Sequence, residues 1–475
     1  IQMQLASEFH RSHALGIAAI ATFVVAALAW AAPGARAEIG NPQLSAGVYG
    51  TCAISPGKRL YCWGSNSSRQ LGLGSSARLA YGTRPYPVKG LKASPAGISS
   101  GYSSACATLI TGSIACWGKN SAGQLGVAKL GKSAKSAQAA AALISPWVAP
   151  SQAEVGQQHL CIRDNNQTVK CLGANAFGQL GNATNLPSAA PVQVAGLSGL
   201  TAGTQARQVV TGANHACARL ANQNVKCWGV NNVRQLGTPT NSVPWANAPV
   251  DVPNLSNNVT QLASTAGHTC AIHAGGGASC WGADQFGQLG DGSVAPFKGN
   301  VTVAGLGGDA KQISTGIGHS CALITGGAVR CWGSNEFGQL GNGTVTTSAR
   351  PVSVSGLSRP AAEISAGGYH TCARLDNGEI YCWGRGSKGQ LGGGRAASSL
   401  TAKRVAEFGG VHFAGVKLSK AIVSHGSPSA RTDFFGTLVA LPARAGKTSR
   451  QCRTTAHLTV SILQDGVTRT KKLSK

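Results

Sequence analysis

Fourteen cysteines stand in seven pairs of one spacing, ten residues: Cys52 with Cys62, Cys106 with Cys116, Cys161 with Cys171, Cys217 with Cys227, Cys270 with Cys280, Cys321 with Cys331, and Cys372 with Cys382. In five repeats a histidine precedes the first cysteine by two positions: His159, His215, His268, His319 and His370. Two chemistries fit such a set. Residues i and i+2 share a strand face, so an imidazole and two thiolates could converge on zinc. Alternatively the thiols oxidise to a disulfide and the imidazole serves only as a hydrogen-bonding neighbour. The first two repeats carry Gly50 and Ser104 in place of histidine and keep their cysteine pairs. The pairs therefore do not depend on the imidazole, and the reading favours seven disulfides.

The elements that must position these cysteines can be read from the surrounding frame. Trp63, Trp117, Trp228, Trp281, Trp332 and Trp383 follow the second cysteine directly, with Leu172 in the third copy. A Gln-Leu-Gly triplet starts eight residues after the second cysteine in all seven copies, at Gln70, Gln124, Gln179, Gln235, Gln288, Gln339 and Gln390. Between the cysteines of the last copy lies Asp376-Asn377-Gly378, a hairpin signal, since Asn and Gly tolerate the positive φ of tight turns. Folding there sets Cys372 opposite Cys382, within the Cα separation a disulfide needs. Each bridge then closes a short loop and contributes about 2.8 kcal/mol on chain-entropy grounds. Short strands flank each hairpin, and four such strands make a sheet too small to bury its faces alone. Copies 51 to 56 residues apart point to sheets stacked around an axis. The expected fold is all-β, a seven-bladed propeller over residues 43–408. The tryptophans should pack blade on blade, and the histidines should be satisfied by hydrogen bonds between blades.

Outside the repeats, residues 1–37 read as a secretory signal peptide: Arg11 and His13, an apolar run from Ala14 to Trp30, and a cleavage site at Ala35-Arg36-Ala37. Export agrees with abundant cysteine pairing and places the protein in the secreted fluid, periplasm or cell envelope, with no transmembrane segment in the mature chain. Residues 127–146, rich in Ala, Lys and Ser, read as a short surface helix or an unstructured insert. Residues 409–475 read as a basic, β-rich appendage, with strands expected at 434–439 and 456–463 and Cys452 unpaired. The formal charge is +26, which favours acidic partners or anionic surfaces. The basic residues are scattered, without the aromatic interleaving of nucleic-acid platforms, so specific nucleic-acid recognition is not expected.

The frame G-x-x-H-x-C-A…C-W-G-x-N-x-x-G-Q-L-G, clear at 212–237, 316–341 and 367–392, resembles the regulator of chromosome condensation repeat family. That resemblance covers about residues 43–408 and implies a seven-bladed propeller. Family members include an exchange factor for a small GTPase that also binds chromatin and an exported bacterial inhibitor that caps β-lactamases. The signal peptide and the lack of a wedge-like insert set this chain apart from the exchange factor. No catalytic constellation, cofactor motif or metal motif stands out. The expected function is a monomeric, non-enzymatic binding scaffold that holds a protein or an anionic surface polymer on one propeller face. The alternatives are an enzyme with its site at the tunnel mouth, or a guanine-nucleotide exchange factor. Acidic or histidine groups converging at a mouth would favour the enzyme; a face rimmed by aromatics and arginine would favour binding.

Overall fold

Each cysteine pair sits where the two central strands of a sheet face one another. In the seventh blade His370–Leu375 runs antiparallel to Ile380–Gly384, with Cys372 opposite Cys382. Gly378, at φ 84°, turns the hairpin between them. The same register recurs in all seven blades. It brings the Cα atoms of each pair to 4.0 to 4.1 Å, and every expected disulfide is present. Cys52 is bonded to Cys62 in blade one, Cys106 to Cys116 in blade two and Cys161 to Cys171 in blade three. Blades four to six hold the bonds of Cys217 to Cys227, Cys270 to Cys280 and Cys321 to Cys331, and blade seven that of Cys372 to Cys382. Alternation puts the tryptophan after each second cysteine on the opposite sheet face, and all six are wholly buried.

In the computed structural model the chain forms two units, 1–409 and 410–475. The described residues are 43–74, 79–126, 134–139, 149–201, 203–239, 244–256, 258–406, 408, 458–464 and 467–473; for 134–139 and the last two spans only the backbone is described. The first unit holds seven four-stranded antiparallel sheets, each with its strands in chain order. The first strands of the blades neighbour one another all the way round, the seventh meeting the first again, so they line the axis. No helix occurs among the described residues, and so none there is long and apolar enough to cross a membrane. In the second unit Leu458–Gln464 pairs with Val467–Leu473. The expected signal peptide, Cys452 and the expected strand at 434–439 lie outside the described residues.

One expectation is corrected. Residues 134–139, inside the stretch read as a helix or unstructured insert, are the outer strand of the second blade, with Ala115 opposite Ala139 and Gly118 opposite Ala134. An outer strand contacts its sheet on one edge only, so it can be built from Ala, Lys, Ser and Gln with little apolar signal. Residues 134–139 are a blade component, not a helix or an unstructured insert.

The ring closes without exchange of a strand. Blade one is built wholly from Leu44–Ala46, Gly50–Ile54, Leu60–Ser65 and Tyr81–Pro87; blade seven from Ala361–Ala366, His370–Leu375, Ile380–Gly384 and Ser399–Arg404. Side chains and two backbone bonds, Gly368 N to Gly47 O (3.1 Å) and Gly394 N to Thr83 O (2.8 Å), span the seam. The Glu363 carboxylate accepts from the backbone NH of Gln43 (2.9 Å) and of Leu44 (3.1 Å), and Ser365 Oγ accepts from Ala46 N (2.8 Å). Trp63 Nε1 donates to the Gln390 carbonyl (2.9 Å). Beyond the last strand, Phe408 lies edge-on against Tyr61 and Trp63 of blade one, 5.9 and 6.0 Å between centroids.

Candidate functional site

The repeated residues singled out by spacing are engaged between blades. The Gln of each Gln-Leu-Gly folds its own loop by accepting the backbone NH two residues upstream, for example Phe177 to Gln179 and Phe337 to Gln339, both 2.9 Å. The carbonyl of six of these glutamines accepts the indole NH of the following blade's tryptophan, at 2.8 to 3.1 Å. The Leu fills the core, and the Gly leaves room for that indole: a Cβ on Gly290 would lie 2.5 Å from Trp332 Nε1.

Four of the five histidines reach a hydroxyl on the next blade through Nε2: His215 to Thr269 (3.0 Å), His268 to Ser320 (2.9 Å), His319 to Thr371 (2.9 Å) and His370 to Thr51 (2.8 Å). Ser320, Thr371 and Thr51 donate their single hydroxyl proton onward to the carbonyls of Gln288, Gln339 and Gln390. The histidine must then be the donor, which fixes the neutral Nε2–H tautomer. Nδ1 has no hydrogen-bond partner, and burial pushes the pKa of His215, His319 and His370 down to about 3 and that of His268 to about 4. His159 faces Ala216 instead of a hydroxyl; the His215 backbone lies close enough to favour its protonated form, but neither ring nitrogen makes a well-formed hydrogen bond. Among the described residues no three His, Cys, Asp or Glu side chains are grouped to hold a metal ion; these imidazoles point across the blade interface, toward hydroxyls.

Spacing gave no hint of the glutamines in the wall of the central tunnel, where the inner strands meet. Gln152, Gln208, Gln261 and Gln312 each clamp the next blade's inner strand. Gln208 Nε2 donates to Leu262 O (2.9 Å) while its Oε1 accepts Leu262 N (2.8 Å), and the same pair forms from Gln152 to Val209, Gln261 to Ile313 and Gln312 to Ile364. Gly97 breaks this ladder in blade two. There Ser99 Oγ accepts Val155 N (3.1 Å) and donates to Glu154 Oε2 (3.2 Å). Glu154 touches the lumen but is hemmed in by the wall; burial pushes its carboxyl up to about 7 against the hydrogen bonds from Gln152 and Ser99. The cavity on the axis, about 210 Å³, is lined by these strands and by Arg163, Arg207 and Arg219.

The end of the propeller that carries the Gln-Leu-Gly loops is different in character from the hairpin end. Of the exposed large apolar residues described, only Ile110 and Leu200 lie at the hairpin end; Leu79, Tyr81, Phe177, Leu186, Trp245, Phe286, Val294, Val345 and Leu400 sit on or beside the loops. Phe177, Val233, Trp245 and Ile317 line a groove of about 450 Å³ there. Across the face, Phe337 stands edge-on to Tyr369 (5.7 Å), Tyr49 lies 6.3 Å from Tyr369, and the Arg385 guanidinium stacks 4.7 Å over Phe337. Arg69, Lys119, Arg234, Lys388 and Arg395 add positive charge to the same loops. The acids are Glu336 and two aspartates, Asp284 and Asp291, that are bonded to Lys298.

Two of those arginines are strained. The residue before Gln-Leu-Gly is left-handed in every blade. Five blades place glycine there, at 123, 178, 287, 338 and 389, while Arg69 and Arg234 adopt φ 67° and 59°. A side chain in that region costs roughly 1 kcal/mol or more.

Two models of the regulator of chromosome condensation repeat match the chain, one at 43–70, 206–235, 310–339 and 361–390, the other at 59–108, 171–219, 224–272 and 326–374. Together they span more than half of it. The chain belongs to the regulator of chromosome condensation (RCC1) repeat family. It is 31% identical over 206 residues to the ultraviolet-B receptor UVR8 of Arabidopsis thaliana, covering 42% of this chain and 46% of that protein. Against the human E3 ubiquitin-protein ligase HERC2 it is 25% identical over 340 residues, 71% of this chain and 7% of the ligase. The chain thus spans less than half the length of these curated relatives. Two solved structures share the fold of this RCC1-repeat propeller. They are Prp20p of Saccharomyces cerevisiae, studied with its binding to Gsp1p and histones (TM-score 0.65, 20% identity, 73% and 86% of the two chains), and human WBSCR16 (TM-score 0.63, 21% identity, 73% and 94%).

Proposed function

We propose that this RCC1-repeat propeller is an exported, non-enzymatic scaffold that holds a protein partner on its Gln-Leu-Gly loop face. The observation that carries the reading is the pair Arg69 and Arg234, arginines at left-handed positions that glycine fills in the other five blades. Strain retained on a surface loop favours a use for the side chain. The surrounding exposed aromatics and Arg385 fit the composition of interface anchors, in which Tyr, Trp and Arg dominate. The net charge of +26 disfavours a basic partner and favours an acidic surface with apolar side chains to insert. Seven disulfides agree with a site of action outside the reducing cytosol. The ligase activity of HERC2 does not carry over, since only 7% of that protein is matched.

The test compares the full chain with a double variant carrying Arg69→Gly and Arg234→Gly. The variant should melt at the same or a higher temperature, because glycine relieves the backbone, while capture of a protein from the native envelope or culture fluid falls at least tenfold, about 1.4 kcal/mol. Equal capture by both would remove the loop face from the site. Turnover of a defined substrate, abolished by one substitution in the tunnel wall, would replace the scaffold reading by the enzyme.

A further inference from the structure

The charged residues lining the axial cavity are four: Glu154, Arg163, Arg207 and Arg219. All come from blades three and four. Arg163 lies opposite Gln152 in the third blade, and Arg219 lies opposite Gln208 in the fourth. They occupy the same position on adjoining blades. Arg207 directly precedes Gln208 on the inner strand. The register therefore places all three at the hairpin end of the tunnel, around one sector of its wall. The remaining lining is neutral: amides of Gln208, Gln261 and Gln312, and hydroxyls of Ser45, Ser314 and Ser365. Each of the three arginines has interactions of its own with the protein. Three arginines and one carboxyl thus line the cavity, and burial pushes that carboxyl up to about 7.

A confined positive sector with neutral donors opposite is a receptor for a small anion. Guanidinium offers paired N–H donors in a plane, which match the two oxygens of a carboxylate or phosphate. A cavity of about 210 Å³ admits a small solute and excludes a polymer or a folded domain. We propose that the tunnel of this propeller binds a small polyanion, a phosphate ester or a polycarboxylate, through Arg163, Arg207 and Arg219. The Gln and Ser side chains of the neutral wall meet the hydroxyl groups of the same solute. The site is separate from the loop face and does not depend on a partner being bound there.

The experiment is isothermal titration calorimetry of the full chain with citrate and, in a second series, with inorganic phosphate, ionic strength being held constant with sodium chloride. One saturable site with a Kd below about 1 mM is expected for at least one of the two. Citrate alone assigns a polycarboxylate and phosphate alone a phosphate ester. Arg163→Gln and Arg219→Gln should each weaken binding at least tenfold. Lys403→Gln, on the outer strand of blade seven, should leave it unchanged. Thermal melting checks that each variant folds, and Arg207→Gln, at an exposed position, replaces any that does not. Absence of saturable binding by both probes overturns the proposal. So does a loss at Lys403→Gln as large as at Arg163→Gln, which would mean diffuse attraction to a basic surface.

Discussion

His268, His319 and His370 are neutral for a stereochemical reason: their Nε2–H is committed to a hydroxyl and no acceptor waits at Nδ1; His215, between the hydroxyls of Thr269 and Ser264, is kept neutral by burial. His159, also wholly buried, has its pKa lowered to about 4 by burial. An unfolded histidine takes a proton below about 6.5. As pH falls from there toward 4 the unfolded chain gains protons that the folded chain refuses, so stability declines with acidification. Five such groups remove up to roughly 7 kcal/mol per pH unit below 6.5, at about 1.4 each. That outruns an ordinary domain stability of about 5–15 kcal/mol within some two units. Glu154 works in the opposite sense: its raised pKa adds stability below about 7 that is lost as pH rises through that value. One carboxyl against five imidazoles leaves the acid side the weak side. Circular dichroism should record cooperative unfolding between pH 6.5 and 4; a melting temperature unchanged at pH 4 would contradict the tautomer assignment. His159 offers a second check at this scale. Ala216→Ser supplies the hydroxyl found in the equivalent place of four other blades, within reach of His159 and of the Gln179 carbonyl. It should stabilise the fold by about 1 kcal/mol in urea unfolding. No change would mean that His159 is satisfied in another way.

The elements were legible in the sequence to the degree that their residues carry a pattern of their own. The central hairpins announce themselves by Cys at spacing ten and by Trp after the second Cys, because both types are fixed by burial in every blade. Pairs such as Cys106 with Cys116 or Cys270 with Cys280 could be assigned before the fold was seen, since a hairpin leaves each thiol one partner within reach. The outer strand at 134–139 was not legible, since a strand paired on one edge tolerates Ala, Lys and Gln. The tunnel clamps were hidden for another reason. Gln208 and Gln312 bond backbone atoms 54 and 52 positions away, and a backbone partner leaves no trace in residue types. Arg163 likewise stands 44 and 56 positions from Arg207 and Arg219 and meets them only through blade register. The corrected strand gives a prediction. Deleting residues 134–139 strips blade two of its fourth strand and should lower the melting temperature by several degrees, as a loss of a few kcal/mol does in a domain this size. An unchanged melting temperature would return the stretch to the status of a loop.

At the scale of the whole molecule, every blade is made from one contiguous piece of chain, and the closing seam is held by side chains such as Glu363, Ser365 and Trp63. Any gap between blades is then equivalent to the natural one. A circular permutant that joins the end of blade seven to the start of blade one and opens between Val354 and Arg359 should keep all seven sheets, with the same far-ultraviolet spectrum and a melting temperature within a few degrees of the parent. Collapse of the permutant would show that the natural seam is special. The same seam decides how the protein answers a pull on its ends. Here as at every gap only side chains and single backbone bonds, such as Gly368 N to Gly47 O, join the blades, and the two ends of the ring flank this gap, so tension parts the ring there first and then peels blades one at a time. In each blade the disulfide keeps the ten residue steps between its cysteines from unspooling, withholding about 34 Å of contour length. Stretched, this chain is a row of short tethers between knots that cannot be untied by force alone.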